Sequence, residues 1–145
     1  MNPLRFVIDT NVLVSALRSQ RGASFALVVH HLDDPRVELQ VSNALMLEYE
    51  ELLHRQRAVL GLTDLEIEAM LDGLLSVARR HEIFFTWRPS SADSDDDFVI
   101  DLAVTAGAGY VVTHNIRDLS VLSQHGIKTV TPDQFLKILK ARPLP

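Results

Sequence analysis

Four acidic side chains stand at positions along the chain from which they could share one site: Asp9, Glu48, Asp97 and Asp118. Two carboxylates about 4 Å apart repel by roughly 4 kcal/mol at an effective dielectric near 20, so such a cluster needs a cation or protonation to persist. Oxygen ligands without His or Cys suit a hard ion such as Mg²⁺ or Mn²⁺ rather than zinc. The residue types therefore indicate a divalent-cation site, which could activate water and neutralise charge on a phosphate ester.

Each of these acids also has an ordinary structural explanation. Asp9 could cap the helix predicted immediately after it, and Glu48 could be a solvated helix residue. Asp97 could belong to a cap that begins at Ser94 or complement a helix dipole, and Asp118 could cap a short turn. A single acid would not identify a site, but the joint pattern is harder to explain by these structural roles.

The elements predicted around the acids favour a parallel sheet with helices on both faces, because apolar strand-like runs alternate with helical patterns. Strands are predicted at residues 5–8, 37–41, 83–85, 110–113 and 127–130. Helices are predicted over 12–18 and 23–31, after Ser42, from capping boxes at Thr63 and Thr131, and from Ser94 to Gly107. Ligands of such sheets bind at the carboxyl ends of the strands, where Asp9 and the segment 113–118 would lie at the same edge.

Length and composition indicate one α/β domain spanning residues 1–145. No apolar run approaches the ~20 residues needed to span a bilayer, and no secretory signal is visible, so a cytoplasmic location and no membrane partner are expected. The absence of cysteine excludes disulfides, thiolate zinc sites and cysteine nucleophiles. The net charge of −5 argues against generic adhesion to nucleic acid, unless bound cations recruit the phosphates locally.

Several short motifs together resemble one known family. They are Ile8-Asp9-Thr10-Asn11, Ser42 followed by Glu48-Tyr49, Asp97 at the start of a helix, and Val111-Val112-Thr113-His114-Asn115-Ile116-Arg117-Asp118. In this order and spacing they resemble a PIN domain, in particular the group assigned as toxins of toxin–antitoxin pairs and related to the VapC type. The resemblance covers roughly residues 5–138. It implies a three-layer α/β/α sandwich with a doubly wound, mainly parallel five-stranded sheet.

The resemblance also implies site residues. Asp9, Glu48 and Asp97 correspond to metal-binding, catalytic acids for Mg²⁺ or Mn²⁺. The position of the family's usual fourth acid is Asn115 here, so either Asp118 replaces it or Asn115 binds through its amide oxygen or through water. The residues expected to contact substrate or water around these acids are Thr10, Asn11, Thr113, His114, Asn115 and Arg117.

The expected function is divalent-metal-dependent hydrolysis of RNA, with a cognate antitoxin as partner and a homodimer or higher homo-oligomer as the assembly. A non-catalytic PIN-like module that binds RNA or protein is the alternative, because Asn115 breaks the acid set. A phosphoacceptor receiver domain is a second, less favoured alternative. It needs an Asp at the end of the third strand, and neither Val41-Ser42 nor Phe85-Thr86 supplies it.

Overall fold

A computed structural model describes residues 2–83 and 96–144, with the side chains of residues 96 and 97 outside that description. The strands are β1 (Leu4–Ile8), β2 (Val37–Ser42), β3 (Arg79–His81), β4 (Tyr110–Val112) and β5 (Lys128–Val130). All four neighbouring pairs are parallel, and the order across the sheet is β3-β2-β1-β4-β5. The chain thus moves outward from β1 to β3 and returns on the other side of β1. The predicted doubly wound sheet is confirmed, and its topological switch point lies between β1 and β4.

The helices largely follow the predicted capping signals. They are α1 (Thr10–Arg18), α2 (Ala23–Phe25, continuing into a π-helical segment Ala26–His30), α3 (Asn43–Arg55), α4 (Arg57–Leu60), α5 (Asp64–Val77), α6 (Asp96–Ala106), a 3₁₀ helix (Arg117–His125) and α7 (Pro132–Ala141). Thr63 and Thr131 form the predicted capping boxes with Glu66 and Gln134. Ser42 caps α3 by accepting a hydrogen bond from the Leu45 amide. Side-chain caps satisfy helix N–H groups that have no partner within the helix.

The core surrounds β1. Consecutive strand side chains point to opposite faces of a sheet, and Phe6, Val7 and Ile8 are all fully buried. Both faces of β1 are therefore covered, in agreement with the predicted three-layer sandwich. On one face, the ring centroid of Phe6 lies 4.7 Å from that of Phe135 in α7.

The third strand lies earlier in the sequence than predicted. It occupies Arg79–His81, whereas Ile83 lies outside it and residues 84 and 85 are outside the described part of the chain. β3 is an edge strand held by its backbone pairing with β2. A further contact comes from His81 Nε2, which donates to Gln40 Oε1 at 2.7 Å. Strand formation here depends on its neighbour rather than on an apolar sequence, so the prediction of 83–85 was wrong.

None of the helices in the described part of the chain combines the length and the apolar character required to cross a bilayer.

Candidate active site

Asp9 stands at the end of β1 and begins α1. Its backbone amide donates to the carbonyl of Val112 in β4 at 2.9 Å. This hydrogen bond continues the backbone pairing of β1 and β4 one residue beyond the end of β1. Its backbone is extended, and its Oδ1 accepts a hydrogen bond from the Thr10 amide at 2.8 Å. The capping role considered from the sequence is therefore present. Asp9 is only 7% exposed and lies at the switch point of the sheet, where ligands of such folds bind.

The second oxygen of Asp9 connects the ends of β1 and β4. Asp9 Oδ2 accepts hydrogen bonds from Thr113 Oγ1 at 2.7 Å and from Asn11 Nδ2 at 3.3 Å. Thr113 is fully buried, and its hydroxyl oxygen also accepts from the Asn115 amide at 2.9 Å. Asn11 Oδ1 accepts from the His114 amide at 3.2 Å. The structure thus brings together five of the residues that the sequence predicted for one site, three of them more than 100 positions from Asp9.

Helix α3 is fastened to the same strand end through Tyr49. The Tyr49 hydroxyl, on a side chain that is only 1% exposed, donates to the carbonyl of Ile8, the residue before Asp9. Burial raises the pKa of Tyr49 well above its usual value, and the negative charge of Asp9 raises it further. Glu48 precedes Tyr49 in α3 and is half-buried.

Helix α6 packs against both β1 and α3, which places the element that carries Asp97 beside these residues. The Asp97 side chain itself lies outside the described residues. One turn later, on the same helix face, Asp101 is 2% exposed. From the sequence, Asp101 is an alternative to Asp97 one turn away, because Asp95, Asp96 and Asp101 crowd the same region. Asp101 is a polar residue within an otherwise apolar stretch of α6, and this pattern could have indicated that it is buried.

The segment after β4 is exposed. His114, Asn115, Arg117 and Asp118 are all accessible to solvent, and Asp118 lies in the first turn of the 3₁₀ helix. His114 Nε2 lies 3.1 Å from the hydroxyl of Ser24, which is 3% exposed. Sequence reasoning missed Ser24, because no local pattern relates two residues 90 positions apart.

The oxygen atoms around Asp9 that could ligate a metal belong to carboxylate, hydroxyl and amide groups. Such oxygen ligands suit a hard divalent cation. Within residues 2–83 and 98–144, no three His, Asp or Glu side chains gather closely enough to hold a metal. The acid set predicted from sequence includes Asp97, whose side chain is outside that range.

Comparisons with known proteins identify the family. A family model described as PIN domain matches residues 5–117. One solved structure similar to this chain is that of VapBC2 from Rickettsia felis bound to a DNA fragment from its promoter, with a TM-score of 0.57 and 12% sequence identity over 88% of this chain and 98% of the other. At this identity the likeness is one of fold alone. Comparison with curated proteins finds no match. The family match covers most of the chain and all but one of the predicted site residues, and the chain therefore belongs to the PIN-domain family.

Proposed function

We propose that this PIN-domain protein is a divalent-metal-dependent ribonuclease that hydrolyses phosphodiester bonds of RNA. The observation that carries the proposal is the Asp9 carboxylate at the switch point, with its Oδ2 held by Thr113 and Asn11. A carboxylate fixed by several donors before substrate arrives is the kind of preorganised charge that stabilises ions and transition states.

The proposed metal ligands, which are also the catalytic acids, are Asp9, Glu48, Asp97 and Asp118. When bound, Mg²⁺ or Mn²⁺ supplies an activated water and neutralises charge on the phosphate. The chain's own residues orient these ligands. Thr113 donates to Asp9, and Tyr49 secures the helix that carries Glu48.

The proposed substrate contacts surround this centre. Asn11 bridges Asp9 and the His114 amide, so it sets the distance between the acid and the segment after β4. His114, Asn115 and Arg117 are exposed there and can donate to phosphate oxygens. Thr10, whose side chain is mostly buried, and the Thr113 hydroxyl would contact water at the inner side of the site.

We also propose that the protein is the toxin of a toxin–antitoxin pair, acts in the cytoplasm as a homodimer or higher oligomer, and is held by a cognate antitoxin. The support is the family itself and the fold shared with a chain of the VapBC2 complex. Co-purification with the protein encoded by the neighbouring reading frame would test the partner directly.

The activity is tested with Asp9→Asn. Asn retains the capping preference of Asp but lacks the charge, so we expect RNA cleavage in Mn²⁺ to fall at least ~10²-fold, as when a preorganised electrostatic group is removed. Asp72→Asn, an exposed residue of α5, is the control and should cleave normally. Wild-type protein that binds RNA without cutting it would instead support the non-catalytic module, and full activity of Asp9→Asn would overturn the assigned site.

A further inference from the structure

A pocket of about 500 Å³ borders the candidate active site. Asn11, Ser15 and Arg18 of α1 line one side of it, and Leu52 and Gln56 at the end of α3 line another, with His114 also in the wall. Its volume is within the range of small-molecule sites, about 300–1,000 Å³. The pocket can therefore hold a group of ligand size.

The pocket and the Asp9 centre share a wall. Asn11 lines the pocket while its amide nitrogen lies 3.3 Å from Asp9 Oδ2 and its amide oxygen accepts from the His114 backbone. A substrate held at Asp9 would thus reach the pocket past Asn11, which belongs to both.

The chemistry of the lining suits an anionic strand. Among the residues that the structure describes, no carboxylate lines the pocket, although the chain carries a net charge of −5. Asn11, Ser15 and Arg18 are spaced i, i+4 and i+7 along α1, so they share one helix face, with Arg18 about 10 Å along the axis from Asn11. Arg18 is exposed and forms no ion pair with any residue that the structure describes. A guanidinium can bind phosphate bidentately.

The wall also contains an unsatisfied acceptor. In the described part of the chain, Gln56 Oε1 is one of two buried side-chain polar atoms without a hydrogen-bond partner. Buried polar atoms are nearly always paired, so this carboxamide would gain from a donor. Rotation of the side chain toward the pocket would present it to an N–H group on a base edge, which carboxamides recognise well.

We propose that this pocket binds the nucleotide of a single-stranded RNA that adjoins the cleaved bond, with Arg18 on its phosphate and Gln56 on its base. The inference rests on the proposed ribonuclease function and adds a binding subsite to it. Arg18 and Gln56 are binding residues here, and the chemical step remains at the Asp9 centre.

The test measures binding of a short fluorescent oligouridylate in Ca²⁺ over a range of salt concentrations, with the RNA checked for integrity on gels. Arg18→Gln should weaken binding about two- to fivefold at low salt, the range of one exposed charge contact. It should also reduce the slope of log affinity against log salt by about 0.7, the share of one phosphate on a single strand. Lys140→Gln is the matched control, because Arg18 and Lys140 both lie in the last turn of a helix.

Cleavage kinetics in Mn²⁺ provide the second measurement. Arg18→Gln and Gln56→Leu should raise KM several-fold while kcat stays near that of wild type, as expected when uniform binding is lost. If wild type cleaves RNA but Arg18→Gln matches Lys140→Gln in both affinity and salt slope, the subsite is wrong and the proposed function stands. If wild type neither binds nor cleaves RNA in either ion, the proposed function fails and the subsite fails with it.

Discussion

Asp118 and Asn115 are the two residues that could complete the set of oxygen ligands around Asp9. Both are exposed in the segment after β4. The backbone amide of Asn115 donates to the Thr113 hydroxyl at 2.9 Å. Asp118 lies in the first turn of the 3₁₀ helix. A carboxylate binds a hard cation more strongly than a neutral amide oxygen, because it adds a full charge.

We therefore expect Asp118→Asn to weaken Mn²⁺ binding at least about tenfold, comparable to the loss of a group that supports a metal ligand. Asp133→Asn is the matched control, because Asp133 is also an exposed acid in a first helical turn, where it forms an ion pair with Lys137 at 3.1 Å. Isothermal titration with Mn²⁺ measures both. Weakening by Asn115→Ala but not by Asp118→Asn would assign the fourth position to Asn115.

Among the secondary-structure elements, α3 is held by different contacts at its middle and at its C-terminal end. Near its middle, Tyr49 donates to the β1 carbonyl of Ile8. At its end, His54 lies 2.7 Å from both Asp64 Oδ1 and Glu68 Oε1 of α5. These contacts position the helix that carries Glu48, so they should affect stability and the candidate site together.

Tyr49→Phe removes one hydroxyl and leaves the Ile8 carbonyl without that donor in a buried place. We expect the free energy of unfolding to fall by about 1–3 kcal/mol and RNA cleavage to decline with it. Tyr110→Phe is the control: Tyr110 packs against Phe135 at a centroid distance of 5.6 Å, and its hydroxyl makes no hydrogen bond to the residues described. Urea unfolding compares the two variants, and equal losses would mean that the Tyr49 contact does not stabilise α3.

The His54 contact predicts a dependence on pH. Hydrogen bonds to Glu68 and Asp64 raise the pKa of His54 above 6.5, because both ring nitrogens can donate only in the protonated form. A raised pKa in the folded state stabilises the fold fully below pH 6.5, and that stabilisation is lost as pH rises through the folded-state pKa. The stability advantage of wild type over His54→Gln should therefore shrink with rising pH in urea titrations. A constant difference would contradict the ion-pair role.

At the scale of the whole molecule, a bound cation would link the separate acids to global stability. An ion that binds only the folded protein stabilises it by mass action. Without the ion, neighbouring carboxylates repel one another, so the apo protein should carry a stability cost at the switch point.

Asp97→Asn tests this linkage. In EDTA the variant should melt at or above wild type, because it removes one charge and keeps most of the capping capacity. Mn²⁺ should raise the melting temperature of wild type more than that of the variant. Thermal melts of both proteins in both conditions provide the comparison. Equal shifts with Mn²⁺ would exclude Asp97 as a ligand and move attention to Asp95, Asp96 or the buried Asp101.

Features that depend on residues close together in the chain could be predicted from the sequence. Apolar runs located β1, β2, β4 and β5 to within one residue at each end, and the boxes at Thr63 and Thr131 located two helix starts. Local patterns suffice here, because hydrophobic periodicity and helix capping act over a few residues. The position of Asp9 after a buried strand was sufficient to select it as a site candidate.

Contacts between residues far apart in the chain could not be predicted from local patterns. The polar edge strand Arg79–His81 forms because β2 offers it backbone partners, and no apolar pattern marks it. Thr113 reaches Asp9 across 104 positions, because the strand order sets β4 beside β1. Tyr49 reaches Ile8 across 41 positions, because the fold brings α3 to the end of β1. Such contacts depend on strand order and helix packing rather than on local preference, and only the folded chain specifies them.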